Sequence, residues 1–281
     1  MKKKMLSLML AGMMVVGLCA CGAKKEETKA DSAQVTDEVA TAVADKDNEF
    51  VVGFDQEFPP MGFVDENGEF TGFDLELAAE AAKRMGMELK LQPIAWDAKD
   101  MELESGTIDC IWNGFTMSED RLNQYEWSDA YVDNSQVFIV KSGSGIATQA
   151  DLAGKIVAVQ AASSALEALE AEESAALLGS FKELIQVPDY NTAFMYLESG
   201  AAEAIAMDIG VAKFQMAERG ADKFVILDEK LVSELYGVGF LKGNTELRDQ
   251  VQETLYEMVK DGKFDEIAKK WGLEDSVVLG K

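Results

Sequence analysis

"DLELAAEAAKRMGMELKLQPI", residues 74–94, changes its period halfway along. The first half sets Leu75, Ala78, Ala82 and Met85 near one face of a helix, with Asp74 as candidate N-cap and Gly86 as the stop. The second half, "MELKLQPI", alternates as a strand does, so a helix feeds directly into a strand. Upstream, "FVVGF" (50–54) reads as a strand and "MGFVDENGEFTGF" (61–73) as a hairpin turning at Glu66, Asn67 and Gly68. Downstream, "AKDMELESG" (98–106) reads as a short helix and "GTIDCIWNGF" (106–115) as another strand. Strands alternating with helices require crossovers, and crossovers make a mostly parallel sheet.

The alternation then starts afresh. "SQVFIVKSG" (135–143), "KIVAVQ" (155–160), "ELIQVPD" (183–189) and "AEAIAMD" (202–208) read as strands. The helices "SSALEALEAEESAALL" (163–178) and "YNTAFMYLESG" (190–200) lie between them. Two closing helices, 245–262 and 263–272, carry Leu247, Val251, Leu255, Val259, Phe264, Ile267 and Trp271 at helical spacing. Two α/β units with the same logic fit two lobes better than one sheet.

Composition removes several functions. The 281 residues contain no histidine, which excludes Ser-His-Asp triads and the common zinc and iron sites. It also removes the ordinary titration near neutrality, so ligand affinity is expected to be flat between about pH 6 and pH 8. Of three cysteines, Cys19 and Cys21 fall near the start, and Cys110 alone in "TIDCIW" reads as a small buried thiol. No disulfide framework, metal site or cofactor is expected. A balance of 26 basic against 51 acidic residues, net -25, makes nucleic acid and anionic lipid poor partners for the body of the protein.

The opening "MKKKMLSLMLAGMMVVGLCACG" joins three lysines to an apolar run that is short for a bilayer span, the form of a secretory leader. Its end, "LCAC", resembles the lipobox of bacterial lipoproteins, which implies cleavage after residue 20 and acylation of Cys21. Residues 21–48 are polar and nearly without large apolar side chains, the composition of a flexible tether. The expected location is extracytoplasmic, held to the membrane by lipid alone.

The most specific stretch for function is "NGFTMSEDR" (113–121), some forty residues after "GFD" (72–74). With "WSDAYV" (127–132), "DLAGKIVAVQ" (151–160) and "GKFDEIAKKWG" (262–272) following in order, the chain from about residue 49 onward closely resembles the solute-binding proteins of polar-amino-acid ABC transporters. The resemblance implies a periplasmic-binding-protein-like α/β fold. Two α/β lobes, residues 49–133 with 237–281 and residues 134–236, are joined by a two-strand hinge and hold the ligand in the cleft between them.

An amino-acid headgroup needs a cation for its carboxylate and acceptors for its ammonium. By the resemblance, Arg121 and the Thr116 backbone N–H take the carboxylate, while the Gly114 carbonyl, the Thr116 hydroxyl and Asp208 take the ammonium. Without it, Ser118 and Arg121 read as an ordinary helix cap and first turn, and Asp208 as a helix N-cap. "QAASS" (160–164) would aim the N–H groups of Ser163 and Ser164 at the carboxylate, although the glycine common in that turn is absent. Phe58 and Trp96 match aromatic rings that stack on the ligand, and Asp55, Asn113 and Gln160 match positions facing its side chain. Met207 flanks the same pocket, and Glu57 lies near it.

With Asp55 acidic and no lysine or arginine at the matching positions, a polar or cationic amino acid is expected and glutamate or aspartate is not. The expected partners are that ligand, the permease subunits of a transporter and the membrane through Cys21, with the protein itself a monomer. Two other functions compete: an enzyme of the cyclohexadienyl-dehydratase type on the same fold, and a sensory ligand-binding module.

Overall fold

The computed structural model describes residues 48–281; the leader, Cys21 and nearly all of the proposed tether lie outside the described residues. The described chain builds two large sheets and a small antiparallel one of Glu57–Phe58, Gly62–Val64 and Phe70–Thr71. In the first, strand Glu49–Phe54 runs parallel to Glu88–Pro93 along its whole length and to Cys110–Ile111 on its other side. Gly239–Leu241 and Tyr125–Trp127 complete that sheet in antiparallel sense. In the second, Ile156–Gln160 lies between Glu183–Val187 and Ala204–Asp208, all parallel. The long strand Val132–Lys141 runs antiparallel beside Ala204–Asp208 and also pairs with Phe224–Ile226.

The chain passes between the sheets twice. The start of Val132–Lys141 pairs antiparallel with Val232–Tyr236, in the register Val132↔Tyr236 to Gln136↔Val232. These are the two crossings that the resemblance implied. The helices Thr245–Asp261 and Lys263–Trp271 return to pack on helix Phe73–Met85, burying Val251, Leu255, Met258, Phe264 and Ile267. Leu247, Val259 and Trp271 flank that core only partly buried.

Two local expectations change. Asp74 does not cap its helix: the cap position is Gly72, at φ 140°, where an added Cβ would stand 2.3 Å from the Met61 carbonyl oxygen. Asp74 lies inside the first turn and points elsewhere, as described below. The buried face also includes Phe73, Leu77 and Ala81, because this helix is covered by other helices as well as by the sheet. Gly86 ends the helix as expected, left-handed at φ 72° and with its N–H on the last carbonyls.

The single helix expected over 163–178 is divided into Ser164–Glu170, a short 3-10 turn and Ala175–Leu178, with Ala171 extended between them. Glu167, Glu170 and Glu173 recur every third residue there, and like charges at that spacing weaken a continuous helix. Cys110 is a free, fully buried thiol, and burial pushes its pKa well up, the unreactive state expected of it.

Candidate functional site

Both large sheets end at one small, partly open cavity of about 10 Å³, lined by Phe58, Trp96, Gly114, Thr116, Arg121, Gln160, Ser163, Ser164 and Asp208. Gln160 and Asp208 are the last residues of two parallel strands, and Gly114 to Arg121 follow Cys110–Ile111. The site therefore sits beyond the carboxyl ends of the strands, where open α/β sheets leave a crevice.

Arg121 is buried at 3% exposure. Its guanidinium lies 5.0 Å from the centre of the Phe115 ring. Its Nη2 donates to Glu167 Oε1 at 2.5 Å and to the Ala162 carbonyl at 3.2 Å, so the first lobe's cation reaches into the second. Glu167 also accepts from the Ser118 hydroxyl at 3.0 Å. A carboxylate in front of this fork is thus already part of its geometry, supplied here by a side chain.

The turn without its glycine is resolved by Ala162, which takes a left-handed φ of 53°. Ser163 is the N-cap of helix Ser164–Glu170, its hydroxyl accepting from the Leu166 N–H at 3.2 Å. Its own N–H bonds to the Gln160 carbonyl at 3.4 Å, which corrects the expectation that this N–H faces a ligand. Ser164 contributes its hydroxyl, 3.2 Å from Thr116 Oγ1 across the cleft.

Asp208 does not act as a helix cap: its side chain makes no capping bond. Oδ1 instead accepts from the Tyr236 hydroxyl at 2.6 Å, Asn134 at 2.7 Å and Gln136 at 2.8 Å. Burial pushes its pKa up, and these three donors pull it back.

Two expected pocket residues stand behind the cavity wall. Asn113 uses Oδ1 to hold the Asp55 N–H at 3.0 Å, so it positions a neighbour and does not line the cavity. Asp55 accepts from Gln160 at 2.7 Å, and burial raises its pKa to about 6. Met207 is wholly buried in the core because strand alternation turns it away from the cleft. Glu57 reaches across the cleft to accept from Asn191. Phe58 and Trp96 face each other, nearly parallel at 8° with centroids 6.5 Å apart.

Three charged groups escaped the sequence reading. Asp74, fully buried, accepts from the Gly114 N–H at 2.5 Å and from the Tyr131 hydroxyl at 2.9 Å, which fixes the loop carrying Gly114 and Thr116. Burial pushes its pKa to about 7. Lys99, 4% exposed, donates to the Ala162 carbonyl at 3.3 Å and lies 5.3 Å from the centre of the Trp96 ring. Burial first, and then Arg121, lowers its pKa. Lys99 stands beside Arg121, the two sharing the Ala162 carbonyl.

The third is Glu234, on the crossing strand Val232–Tyr236. Its Oε1 accepts from Asn134 and Gln136, both at 2.7 Å, and from the Thr116 hydroxyl at 2.8 Å. Burial, and then the neighbouring Asp208, pushes its pKa to about 7. With Glu234 and Asp74 both titrating near neutrality, the absence of histidine no longer implies a flat pH response. In the sequence Glu234 sits in the short strand "VSELY", where nothing local marks its charge as one that meets Asp208.

The sequence pattern of the bacterial extracellular solute-binding proteins, family 3, matches residues 50–274. The L-cystine-binding protein TcyJ of Escherichia coli K12 is 30% identical over 223 residues, 79% of this chain and 81% of its own length. The ABC transporter glutamine-binding protein GlnH of Bacillus subtilis is 31% identical over 281 residues, 97% of this chain and 98% of its own. Among solved structures, an ABC uptake transporter substrate-binding protein from Streptococcus pneumoniae with bound histidine superimposes with a TM-score of 0.79 at 34% identity. That match covers 83% of this chain and 95% of the other.

Proposed function

This chain belongs to the bacterial extracellular solute-binding proteins, family 3, and on that premise we propose that it binds one free polar or cationic amino acid and delivers it to the permease of an ABC transporter. The observation that carries the reading is the division of charge in the cavity. Arg121 lines one end, with Lys99 behind it on the same Ala162 carbonyl, and Asp208 lines another, with Glu234 sharing its amide donor Gln136. An amino acid has the same separation of carboxylate and ammonium. The residues proposed to meet it are those of the cavity wall, with Asp55 acting through Gln160. The lobes are proposed to divide at 49–133 with 237–281 and 134–236.

The groove leading to the cleft supports a polar or cationic side chain. It is lined by Glu119, Asp120, Glu167, Glu173 and Glu234, with no lysine or arginine among its lining residues. A second carboxylate on the ligand meets like charge there, a repulsion that solvent screens at the exposed Glu119, Asp120 and Glu173. The relatives named for cystine, glutamine and histidine fall within the same polar range. A thermal-shift panel of the common amino acids and cystine, with calorimetry on the hits, is expected to give arginine, lysine, glutamine, histidine or cystine as the tightest ligand. Glutamate or a purely aliphatic amino acid in first place refutes the side-chain argument.

The second reading, an enzyme of the cyclohexadienyl-dehydratase type, has one observation in its favour: Glu234 is a cleft carboxyl that holds a proton near neutrality. Ligand recovered unchanged at one-to-one stoichiometry excludes it, and turnover excludes the receptor. The lipid anchor is proposed from the lipobox alone. Metabolic labelling with a palmitate analogue is expected to mark the protein, and Cys21→Ser is expected to abolish the label and release the protein from the membrane; labelling that survives the substitution refutes the anchor.

A further inference from the structure

Asn134 Nδ2 donates both to Asp208 Oδ1 and to Glu234 Oε1, at 2.7 Å in each case. Gln136 Nε2 also donates to both, at 2.8 and 2.7 Å. Two carboxylates from different strands are therefore clasped by the same two amides, each oxygen within a single amide's reach of the other. Amides and hydroxyls satisfy lone pairs but carry no charge, so they cannot neutralise two acids brought this close.

The groups around the pair come from every element packed on it. Thr116 faces it from the first-lobe loop, Asn134 and Gln136 from the long crossing strand, and Ser164 from a helix start. Tyr190 and Tyr236 reach Asp208 with their hydroxyls. Burial and the same two carboxylates keep both tyrosines protonated well above their ordinary range. Among the described residues no lysine or arginine pairs with either acid, and Arg121 is engaged by Glu167. A second, independent feature points to a donor from outside the chain. Gln136 is wholly buried, and the Oε1 of the amide that joins the two acids has no hydrogen-bond partner in the described structure.

We propose that Glu234 and Asp208 form a two-carboxylate seat for the ligand's ammonium group, and that the arriving cation displaces a proton shared by the pair. The proposal rests on the amino-acid reading above and adds Glu234 to it as a specificity-determining residue. An ammonium brings three N–H donors and one positive charge, and the seat offers the two carboxylates. The balance is simple: one proton leaves for solvent and one cation enters, so the charge in the seat is unchanged while its hydrogen bonds increase. Ligands without a cation are rejected, because they leave either a proton on the pair or two unpaired buried charges.

The pH dependence follows from the direction of the shift. In the free protein Glu234 retains its proton up to about pH 7, because burial and Asp208 disfavour its charged form. With the cation seated both acids are ionised, so binding is opposed at low pH and levels off above neutrality. Between pH 8 and pH 6 the affinity is expected to fall by about tenfold, with close to one proton released per ligand at pH 6.

The test is titration calorimetry of the full protein with L-arginine, L-lysine and L-glutamine, at pH 6, 7 and 8, in buffers of differing ionisation enthalpy. Glu234→Gln keeps the shape and the amide contacts and removes the acid. It is expected to bind at least about tenfold more weakly at pH 8, to release no proton and to vary by less than about twofold across the range. Glu234→Asp, which restores the charge, is expected to restore proton release and part of the affinity. A wild-type protein that binds one of these amino acids without proton release overturns the proposal and leaves the amino-acid reading standing. So does a Glu234→Gln variant that binds more tightly, since Glu234 would then be a plug in competition with the ligand, or one that keeps the wild-type pH slope. Failure of the wild-type protein to bind any of the three, or any other amino acid, overturns both.

Discussion

Arg121→Ala is expected to weaken amino-acid binding by roughly thirty-fold to several thousand-fold, a loss of about 2 to 5 kcal/mol. The guanidinium is the cation whose fork faces the second lobe, and it is 3% exposed, so a ligand carboxylate opposite alanine is left desolvated and unpaired. Lys99 does not replace it, because its Nζ is held by the Ala162 carbonyl and against the Trp96 ring. The fold is expected to tolerate the change. Glu167, the partner it loses, has a side chain 33% exposed and is hydrated without large cost. Arg121→Lys is expected to recover only part of the loss, since an ammonium cannot make two parallel bonds to a carboxylate. Calorimetry that places Arg121→Ala within threefold of wild type refutes the assignment of the carboxylate end.

Asp208→Asn is expected to cost binding on the same scale while leaving stability at pH 7 equal to or above that of wild type. The two effects separate because they depend on charge in opposite ways. The ligand's ammonium needs the negative charge, whereas the empty fold does not. Burial raises the pKa of Asp208 above its unfolded value, so the stability it contributes is complete only below the unfolded pKa and is lost as pH rises through the folded one. Near neutrality its ionised form is a cost that asparagine removes, along with the repulsion of Glu234. Alanine is the wrong probe here. It strands the donors of Asn134, Gln136 and Tyr236 in a buried site, at about 1 to 3 kcal/mol each, and confuses loss of fold with loss of function. Thermal denaturation beside calorimetry checks both halves; an asparagine variant that melts well below wild type, or that binds normally, defeats the argument.

Much of the site was legible because the family resemblance gave roles to residues in turns after strands; without it, Arg121 reads as an ordinary first turn and Asp208 as a helix cap. Arg121, Thr116, Gln160 and Asp208 are each at or just beyond a strand's carboxyl end, a position that sequence order gives directly. Glu234 and Lys99 were not legible for the opposite reason. Lys99 lies in "AKDMELESG", whose local pattern is that of a solvated helix, and Glu234 in "VSELY", where nothing local marks its charge; each meets its partners from a segment distant in the chain. Asp74 belongs to both groups: its position at a helix start suggested a cap, but Gly114, forty residues away, takes the oxygen.

The amino-acid sequence by itself determined what local periodicity and composition can determine: the alternation of strands and helices, the restart that makes two lobes, the exclusion of histidine chemistry and the turns that meet at the cleft. Those features depend on neighbours within a few residues, which the sequence displays. Only the tertiary structure decided which charges are buried together. Asp208 and Glu234 share the amides of Asn134 and Gln136 because two crossing strands pair in one register. Arg121 meets Glu167 because the lobes close on each other. A carboxylate's ionisation is set by the dielectric and the donors around it, and those are contributed by residues more than a hundred positions away, as Thr116 is from Glu234. The residue type names the charge; its neighbours in space decide whether it is present.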